Sequence, residues 1–335
     1  MFPTVTHTTT PDCEPSQFIL PDLINDCHYP LQQSLHRDAV SRASDQWLTD
    51  VAQLVEPEIR GYLDFDIGTL SAVCYPDGDA FHLQVAAESN NWLFIVDDWM
   101  EYGVVDVQET RESCILALRD PNFDTEQLSA KMGKSVFSRF RETAGPGCTE
   151  RFIHGVELFF AAVAKQVGKG NVYDPQSYIA LRRDLVAHKF SFSIIEFVAR
   201  IDLPDEVMSH PVIKALEDAI GDYVAWANDI LSYNKEQSRG SAPWENIVAV
   251  LMHDRGLDLQ GAIDYAGQMC KDAIQRFESS RAILPSWEKE VDRQVAIYVE
   301  GLQNFMVGSL HWHLNSARYD VKPDRIIKLL PKRPL

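Results

Sequence analysis

The stretch AIGDYVAWANDILSYNKE, residues 219–236, decides the fold. Its apolar residues recur every three or four positions and, with the preceding turns from Ile213 onward, cover most of the circumference of a helix. Such a helix packs inside other helices, because exposing its apolar surface to water costs hydrophobic free energy. The segment therefore predicts an all-α protein, a multi-helix bundle with this helix in its interior.

Three oxygen-bearing side chains follow one another along this helix. Asn228, Ser232 and Glu236 stand four residues apart and fall within an arc of about 80°. An amide, a hydroxyl and a carboxylate suit a Mg²⁺ ion that keeps some of its waters and is completed by phosphate oxygens. Lys235 beside them is placed to meet a phosphate directly. The alternative, a solvated polar stripe on a surface helix, is disfavoured by the apolar residues that precede it.

A second apolar segment, NNWLFIVDDWMEYG at residues 90–103, ends in three carboxylates. Asp97 and Glu101 lie one turn apart on one helix face, close enough to share hard divalent cations, and Asp98 stands beside them. By itself a DDxxE string is more often a solvated helix end. Acidic groups at a helix C-terminus oppose the helix dipole, however, so they cost stability unless a cation compensates them. This cost favours a second set of metal ligands.

The rest of the chain continues the helical pattern, interrupted by turn-forming segments such as YPDGD at 75–79 and AGPG at 144–147. No alternating strand is expected, and no linker or repeat divides the sequence. We predict one domain over residues 18–320, a disordered polar tail at 1–17 and a C-terminal tail at 321–335. The predicted helices span residues 34–54, 64–74, 79–101, 108–118, 125–142, 149–168, 176–200, 211–237, 245–254, 258–283 and 286–315.

The composition excludes several classes of function. The 335 residues are 45% hydrophobic and 24% charged, which is typical of a globular protein. A net charge of −18 opposes binding to nucleic acid and to anionic membranes, so an anionic substrate needs local cations or metal ions. No stretch is apolar enough to span a membrane, no signal or transit peptide is evident, and the six cysteines include no CxxC pair. We expect a cytoplasmic protein without stable membrane insertion.

The two polar segments together resemble the motifs of class I terpene synthases. DDWME at 97–101 and NDILSYNKE at 228–236 are similar to the aspartate-rich motif and the NDxxSxxxE motif of that family. In the family an arginine 46 residues before the asparagine senses diphosphate, and Arg182 holds that position. A near-C-terminal Arg-Tyr pair of the family corresponds to Arg318 and Tyr319. The resemblance covers residues 18–320 and is nearest to microbial, particularly fungal, sesquiterpene synthases.

The resemblance implies a bundle that encloses a central active-site cavity, the class I terpenoid synthase fold. It implies a lyase that ionises farnesyl diphosphate with three Mg²⁺ ions, releases diphosphate and forms a cyclic or linear C15 hydrocarbon or alcohol. A monomer and a homodimer both remain open. Phe94 and Trp312 are predicted to contact the substrate hydrocarbon, although core packing is the commoner role of a single aromatic residue. The implied catalytic residues are Arg182, Lys235, Arg318 and Tyr319, and the implied metal ligands are Asp97, Asp98, Glu101, Asn228, Ser232 and Glu236.

Two features depart from the family pattern. Glu101 stands where many relatives have aspartate, which keeps a carboxylate and lengthens its reach. Relatives commonly carry a small or polar residue, often glycine, where a helix breaks soon after the arginine, whereas this chain has Leu185, Val186 and Ala187. The break is then either differently shaped, or cyclisation is impaired.

Other readings stay open beside the leading one. The chain could be an alcohol synthase of the linalool or nerolidol type that uses geranyl or farnesyl diphosphate, or a catalytically silent all-α binding protein of the same fold. A chain-elongating prenyltransferase is less favoured, because it would carry a second aspartate-rich motif. His311 and His313, two residues apart on a helix, cannot chelate jointly and receive no role. Arg183 lies about 100° away from Arg182 on the helix, so both cannot point equally into one cavity, and Arg183→Lys should change little if Arg183 forms only exposed ion pairs.

Overall fold

A computed structural model of the chain describes residues 17–167, 174–239, 245–319, 321 and 325–329. Its helices, numbered in chain order, are α1 (Leu23–Asp26), α2 (Arg37–Val51), α3 (Glu58–Leu63), α4 (Ile67–Cys74), α5 (Ala80–Glu101), α6 (Val107–Arg119), α7 (Leu128–Thr143), α8 (Pro146–Val167), α9 (Pro175–Leu185), α10 (His188–Ala199), α11 (Asp205–Met208), α12 (Pro211–Arg239), α13 (Ile247–Arg255), α14 (Leu259–Ala282) and α15 (Lys289–Asn315). The predicted all-α class is confirmed. Within the described ranges, none of the helices has the length and apolarity of a membrane span.

Helix α12 lies inside the bundle, as its sequence predicted. It packs against α9, α13, α14 and α15. Ile220, Tyr223 and Ile230 are fully buried along it, and Trp226 is nearly so. Helix α15 in turn packs against α4 and α10. Gly308 lets the α15 backbone approach the α4 backbone closely, because a Cβ at this position would lie 2.4 Å from the carbonyl oxygen of Val73. The long central helices are therefore held on several sides.

Helix α5 begins and ends at residues suited to those positions. The Asp79 side chain accepts a hydrogen bond from the His82 backbone N–H at 3.0 Å and caps the N-terminus. After Glu101 the helix stops, and Gly103 takes a left-handed φ of 66° that glycine adopts without steric cost. The acidic segment thus occupies the last turn of a 22-residue helix.

The single helix predicted over residues 176–200 is two helices, so that prediction is wrong. Helix α9 ends at Leu185, and Ala187 has the left-handed angles φ 54° and ψ 28° before α10 begins. The His188 ring supports this break, since its Nδ1 lies 2.6 Å from the Arg183 carbonyl oxygen in the last turn of α9. The break therefore exists without glycine, and Ala187 at the N-cap of α10 offers no side-chain hydrogen bond.

Two short strands were not expected from the sequence. β1 (Gln17–Ile19) and β2 (Ile326–Lys328) pair antiparallel, with Phe18 opposite Ile327. The expectation of a chain without strands is wrong because three residues are too few to show an alternating pattern. Residues 326–328, which we placed in a C-terminal tail, are thus held against the N-terminal segment of the domain.

Aromatic rings fill the space between α7, α8 and α10. The Phe140 ring centroid lies 4.2 Å from that of Phe197 and 4.4 Å from that of Phe152. Phe137 and Phe190 extend the same cluster, and all five residues are buried. This aromatic cluster forms a core away from the large cavity described below.

Candidate active site

A cavity of about 590 Å³ lies between α4, α5, α8, α9, α10, α12 and α15. Along α12 the wall residues change from apolar to polar toward the C-terminal end. Along α5 the apolar Leu93 and Phe94 precede the acidic Asp97 and Glu101, and Asn90 and Met100 also reach the wall. The cavity therefore has an apolar part and a polar part. The wall residues that show this change are Leu93, Phe94, Asp97 and Glu101 on α5, and Val224, Asn228, Ser232, Lys235 and Glu236 on α12.

The polar ends of α5 and α12 face each other around Arg182. Burial, and then the neighbouring charges of Asp98 and Glu101, raise the pKa of Asp97 to about 7, while Arg318 and Arg182 act in the opposite direction. Burial and the charge of Asp229 raise the pKa of Glu236 to about 7 as well, and Arg182 again opposes the shift. One guanidinium thus acts on carboxylates of both helices. Its charge leaves the acidic groups only partly compensated.

Arg182 is held by two neighbouring residues of α12. Its Nη2 donates to Asn228 Oδ1 at 2.7 Å, and its Nε donates to Asp229 Oδ1 at 2.9 Å. The other Asp229 oxygen accepts hydrogen bonds from the Tyr178 hydroxyl at 2.5 Å and the Ile247 backbone N–H at 2.9 Å. Asp229 is 1% exposed and ties α9, α12 and α13 together at the polar end. Asp229 has no role that its sequence position predicts, because only the fold brings these partners to it.

Arg183 points away from the cavity. Its Nε and Nη2 donate to the two oxygens of Asp222 at 2.7 and 3.0 Å, and Arg276 donates to the same carboxylate at 2.8 Å. Asp222 is 3% exposed, so the condition that Arg183 forms only exposed ion pairs is not met. The choice of Arg182 as the arginine on the cavity wall agrees with the geometry.

Arg318 also lines the cavity, and it engages Asp98. Its Nη2 and Nη1 donate to Asp98 Oδ1 at 2.9 Å and Oδ2 at 3.2 Å. Asp98 is 4% exposed and lies behind the wall that Asp97 and Glu101 form. Of the three predicted acidic ligands on α5, the structure therefore brings two to the cavity and pairs the third with an arginine.

The predicted substrate-binding aromatic residues meet on the cavity wall. The Phe94 ring lies edge-on to Trp312, with centroids 5.6 Å apart, and the Arg318 guanidinium carbon is 5.3 Å from the Phe94 centroid. The Trp312 indole N–H donates to the Phe65 carbonyl oxygen at 2.8 Å, which fixes the ring. Tyr319 packs edge-on against Trp312, with centroids 5.9 Å apart. Trp312 thus joins the apolar wall to the Arg-Tyr pair.

His313 is a wall residue that the sequence analysis missed. Its Nε2 lies 3.0 Å from Asn228 Nδ2, and its Nδ1 lies 2.6 Å from the Ser309 carbonyl oxygen. Burial lowers the pKa of this imidazole to about 4, so it is neutral. From the sequence, His313 was weighed only as a chelating partner of His311. The sequence signal that could have placed His313 on the cavity wall is its position one turn after Ser309 and next to Trp312, a predicted wall residue.

The oxygen donors on the wall fit Mg²⁺. Asp97, Glu101, Asn228, Ser232 and Glu236 present carboxylate, amide and hydroxyl oxygens to one cavity. The raised pKa values of Asp97 and Glu236 show that a bound cation would stabilise their ionised forms. Within the described ranges, no three His, Cys, Asp or Glu side chains form a metal cage on their own. A site here needs the amide, the hydroxyl and oxygens from a ligand.

Comparison with known proteins gives concordant matches over nearly the whole chain. The family described as terpene synthase family 2, C-terminal metal binding, matches residues 88–276. Sesquiterpene synthase Agr1 of Cyclocybe aegerita is 38% identical over 332 residues, 95% of each chain. Alpha-muurolene synthase of Coprinopsis cinerea is 36% identical over 99% of this chain and 82% of that protein.

Solved structures show the same architecture at lower identity. The a-eudesmol synthase structure has a TM-score of 0.77 at 21% identity and covers 87% of this chain and 98% of its own. Germacradien-4-ol synthase from Streptomyces citricolor has a TM-score of 0.76 at 21% identity, with coverage of 85% and 96%. The family match includes both polar segments, 97–101 and 228–236, and the two relatives cover 95% and 99% of this chain. The chain therefore belongs to the terpene synthase family and groups with its sesquiterpene synthases.

Proposed function

We propose that this synthase uses Mg²⁺ to ionise farnesyl diphosphate, releasing diphosphate and forming a cyclic or linear C15 hydrocarbon or alcohol. The observation that carries the proposal is the division of the cavity into a polar part with cations and oxygen donors and an apolar part lined by aromatic and aliphatic side chains. An amphiphilic substrate with an anionic head and a hydrocarbon tail matches this division.

The polar part holds the diphosphate in this proposal. Arg182, Lys235 and Arg318 supply the positive charge on the wall, and Arg182 offers a planar guanidinium for bidentate contact with phosphate oxygens. Asp97, Glu101, Asn228, Ser232 and Glu236 would hold the metal. Mg²⁺ supplies electrostatic stabilisation of the negative charge that develops on the leaving diphosphate. The cationic side chains stabilise the charge on the diphosphate, so the C–O bond breaks with its electron pair leaving on the diphosphate oxygen.

The apolar part shelters the carbocation. Leu93, Phe159 and Phe305 exclude water there, and Phe94 and Trp312 offer aromatic faces. A desolvated cation over an aromatic face is stabilised by about 2 kcal/mol. Loss of a proton from the carbocation then completes a hydrocarbon, and capture of one water molecule followed by loss of a proton to solvent or to the released diphosphate completes an alcohol.

The test is incubation of the purified protein with geranyl, farnesyl or geranylgeranyl diphosphate and Mg²⁺, with volatile products identified by mass spectrometry and released diphosphate quantified. We expect the highest kcat/KM with farnesyl diphosphate and no turnover in excess chelator. Asn228→Ala and Glu236→Ala should lose mainly kcat, because the missing ligand weakens stabilisation of charge that develops in the transition state.

The alternatives give different results in the same assay. Linalool or nerolidol as the product identifies the alcohol synthase reading, and longer prenyl diphosphates formed with added isopentenyl diphosphate identify an elongating enzyme. Substrate binding without diphosphate release identifies a silent binding protein. Wild-type rates in both alanine variants contradict the metal-ligand assignment. The boundaries of the 18–320 domain, the monomeric or homodimeric state and the cytoplasmic location stay predictions of the sequence.

A further inference from the structure

His313 has a fixed tautomer because of its position on α15. The Ser309 carbonyl oxygen, 2.6 Å from Nδ1, can only accept a hydrogen bond, so Nδ1 carries the proton. In the neutral imidazole, Nε2 is then an acceptor. His313 is 7% exposed, so the surrounding protein holds the ring in this orientation.

Because Nε2 of His313 can only accept, it distinguishes the nitrogen of the Asn228 amide from its oxygen. Nε2 of His313 lies 3.0 Å from the amide nitrogen, which donates to it. The Tyr319 hydroxyl, 3.0 Å from the same nitrogen, can donate as well as accept, and so it tolerates either orientation of the amide. On the other side, Arg182 can only donate, and it contacts Oδ1 at 2.7 Å. His313 and Arg182 together place the oxygen on the Arg182 side.

Substrate binding would remove one of these two constraints. In the proposed function the Arg182 guanidinium contacts the diphosphate, and where that contact replaces the hydrogen bond from Nη2, Oδ1 is no longer held. If the amide then rotated by half a turn, its NH₂ group would face the metal and could not ligate it. Of the contacts that Asn228 makes in the structure, the one to His313 still distinguishes oxygen from nitrogen.

We propose that His313 is a positioning residue that keeps Asn228 Oδ1 directed toward Mg²⁺ once Arg182 has turned to the diphosphate. The inference rests on the proposed function, since it takes Asn228 as a metal ligand. It adds a residue of α15 to the support of a site whose oxygen donors lie on α5 and α12. Hydrogen-bond partners that orient metal ligands typically contribute about 10- to 100-fold to metal affinity.

The experiment measures Mg²⁺ affinity rather than turnover. Mg²⁺ is titrated calorimetrically into protein with saturating inorganic diphosphate, and the same titration without protein is subtracted. We expect His313→Phe to weaken Mg²⁺ binding about 10- to 100-fold while the thermal midpoint without metal stays near that of the wild type. His311→Phe is the matched control on the same helix, away from the cavity wall, and should change the affinity by less than about twofold.

A double-mutant cycle separates orientation from general disturbance. In the Asn228→Asp background both atoms of the residue 228 head group are oxygens and Nε2 of His313 has no amide N–H to accept from, so His313→Phe should cause no loss of Mg²⁺ affinity. Should His313→Phe not fold, His313→Gln replaces it in the same cycle, with a smaller loss expected in the Asn228 background because the glutamine amide accepts and donates.

The inference is overturned by a folded His313 variant that binds Mg²⁺ like the wild type. It is equally overturned by a loss of the same size in the Asn228→Asp background. Absence of Mg²⁺ binding by the wild-type protein with diphosphate would instead overturn the proposed function, so the two failures are distinguishable.

Discussion

Arg182 and Arg183 are neighbours in the sequence with different surroundings. Arg182 faces the cavity with Asn228 and Asp229, whereas Arg183 is paired with Asp222 behind it. Arg182→Lys loses the planar guanidinium, and we expect kcat/KM on farnesyl diphosphate to fall about 100-fold or more. Arg183→Lys should lower stability by about 1 kcal/mol and leave kcat/KM nearly unchanged, because Arg276 still pairs with Asp222.

Both lysine variants are compared by steady-state kinetics and thermal unfolding under the same conditions. Equal losses of kcat/KM, or a larger loss at Arg183, would show that the arginine on the cavity wall is not the one that contacts diphosphate.

The acidic wall residues give the site a pH dependence. Burial raises the pKa of both Asp97 and Glu236 to about 7, so their ionised fractions decline as the pH falls through 7. Metal binding requires the ionised forms. We expect Mg²⁺ affinity, measured with inorganic diphosphate, to be weaker at pH 6 than at pH 8, by about tenfold over this interval for each group with a pKa of about 7 that must lose a proton. Asp97→Asn should bind Mg²⁺ more weakly and show a shallower pH dependence. Equal wild-type affinities at the two pH values would contradict this assignment.

Among the secondary structure elements, the break between α9 and α10 is where the chain departs most from its sequence pattern. Ala187 holds a left-handed conformation that costs an L-residue roughly 1–2 kcal/mol. Ala187→Gly removes that cost but adds about 0.4–1 kcal/mol of unfolded-state entropy, so we expect a net gain of about 0.5–1 kcal/mol.

The matched control is Ala43→Gly inside α2, which should lose about 1 kcal/mol because glycine is a poor helix former. Chemical denaturation of both variants gives the two values. A loss at residue 187 as large as that at residue 43 would mean that the left-handed angle carries no strain.

Most helices could be predicted because each buries one face, and burial imposes a local period on the sequence. The break at Ala187 could not be predicted, because the sequence LVAH at 185–188 is compatible with a continuous helix. The contact that supports the break, from the His188 ring to the Arg183 carbonyl, is visible only in the structure. The site likewise contains residues that could be predicted and residues that could not. Spacing along single helices indicated Asp97, Glu101, Asn228 and the other wall donors. The roles of Asp229 and His313 depend on contacts between helices that are far apart in the sequence.

At the scale of the whole molecule, the aromatic cluster around Phe140 stabilises the fold and takes no part in the cavity wall. Phe140 is fully buried and packs on rings of α7, α8 and α10. Phe140→Ala should lower the free energy of unfolding by about 3–5 kcal/mol. The kcat of the folded molecules should stay near the wild-type value, because Phe140 is not on the cavity wall.

Leu116→Ala on α6 is the control for removing an apolar side chain from the surface. Leu116 is 48% exposed, and its loss should change stability by less than about 0.5 kcal/mol. Urea unfolding of both variants measures the difference. Comparable small changes would show that the aromatic rings are not a principal core.

The β1–β2 pair has a consequence for the order of events during synthesis. Phe18 of β1 lies 6.0 Å, ring to ring, from Tyr233, and the Lys328 carbonyl of β2 accepts a hydrogen bond from Asn234 at 3.0 Å. Both contacts fall on α12 beside Lys235 and Glu236. Contacts between segments so far apart in sequence form late, because the intervening chain must first be made and closed into a loop. Until residues 326–328 have been synthesised and released, the strand pair cannot form, and the end of α12 that carries Lys235 and Glu236 lacks these contacts.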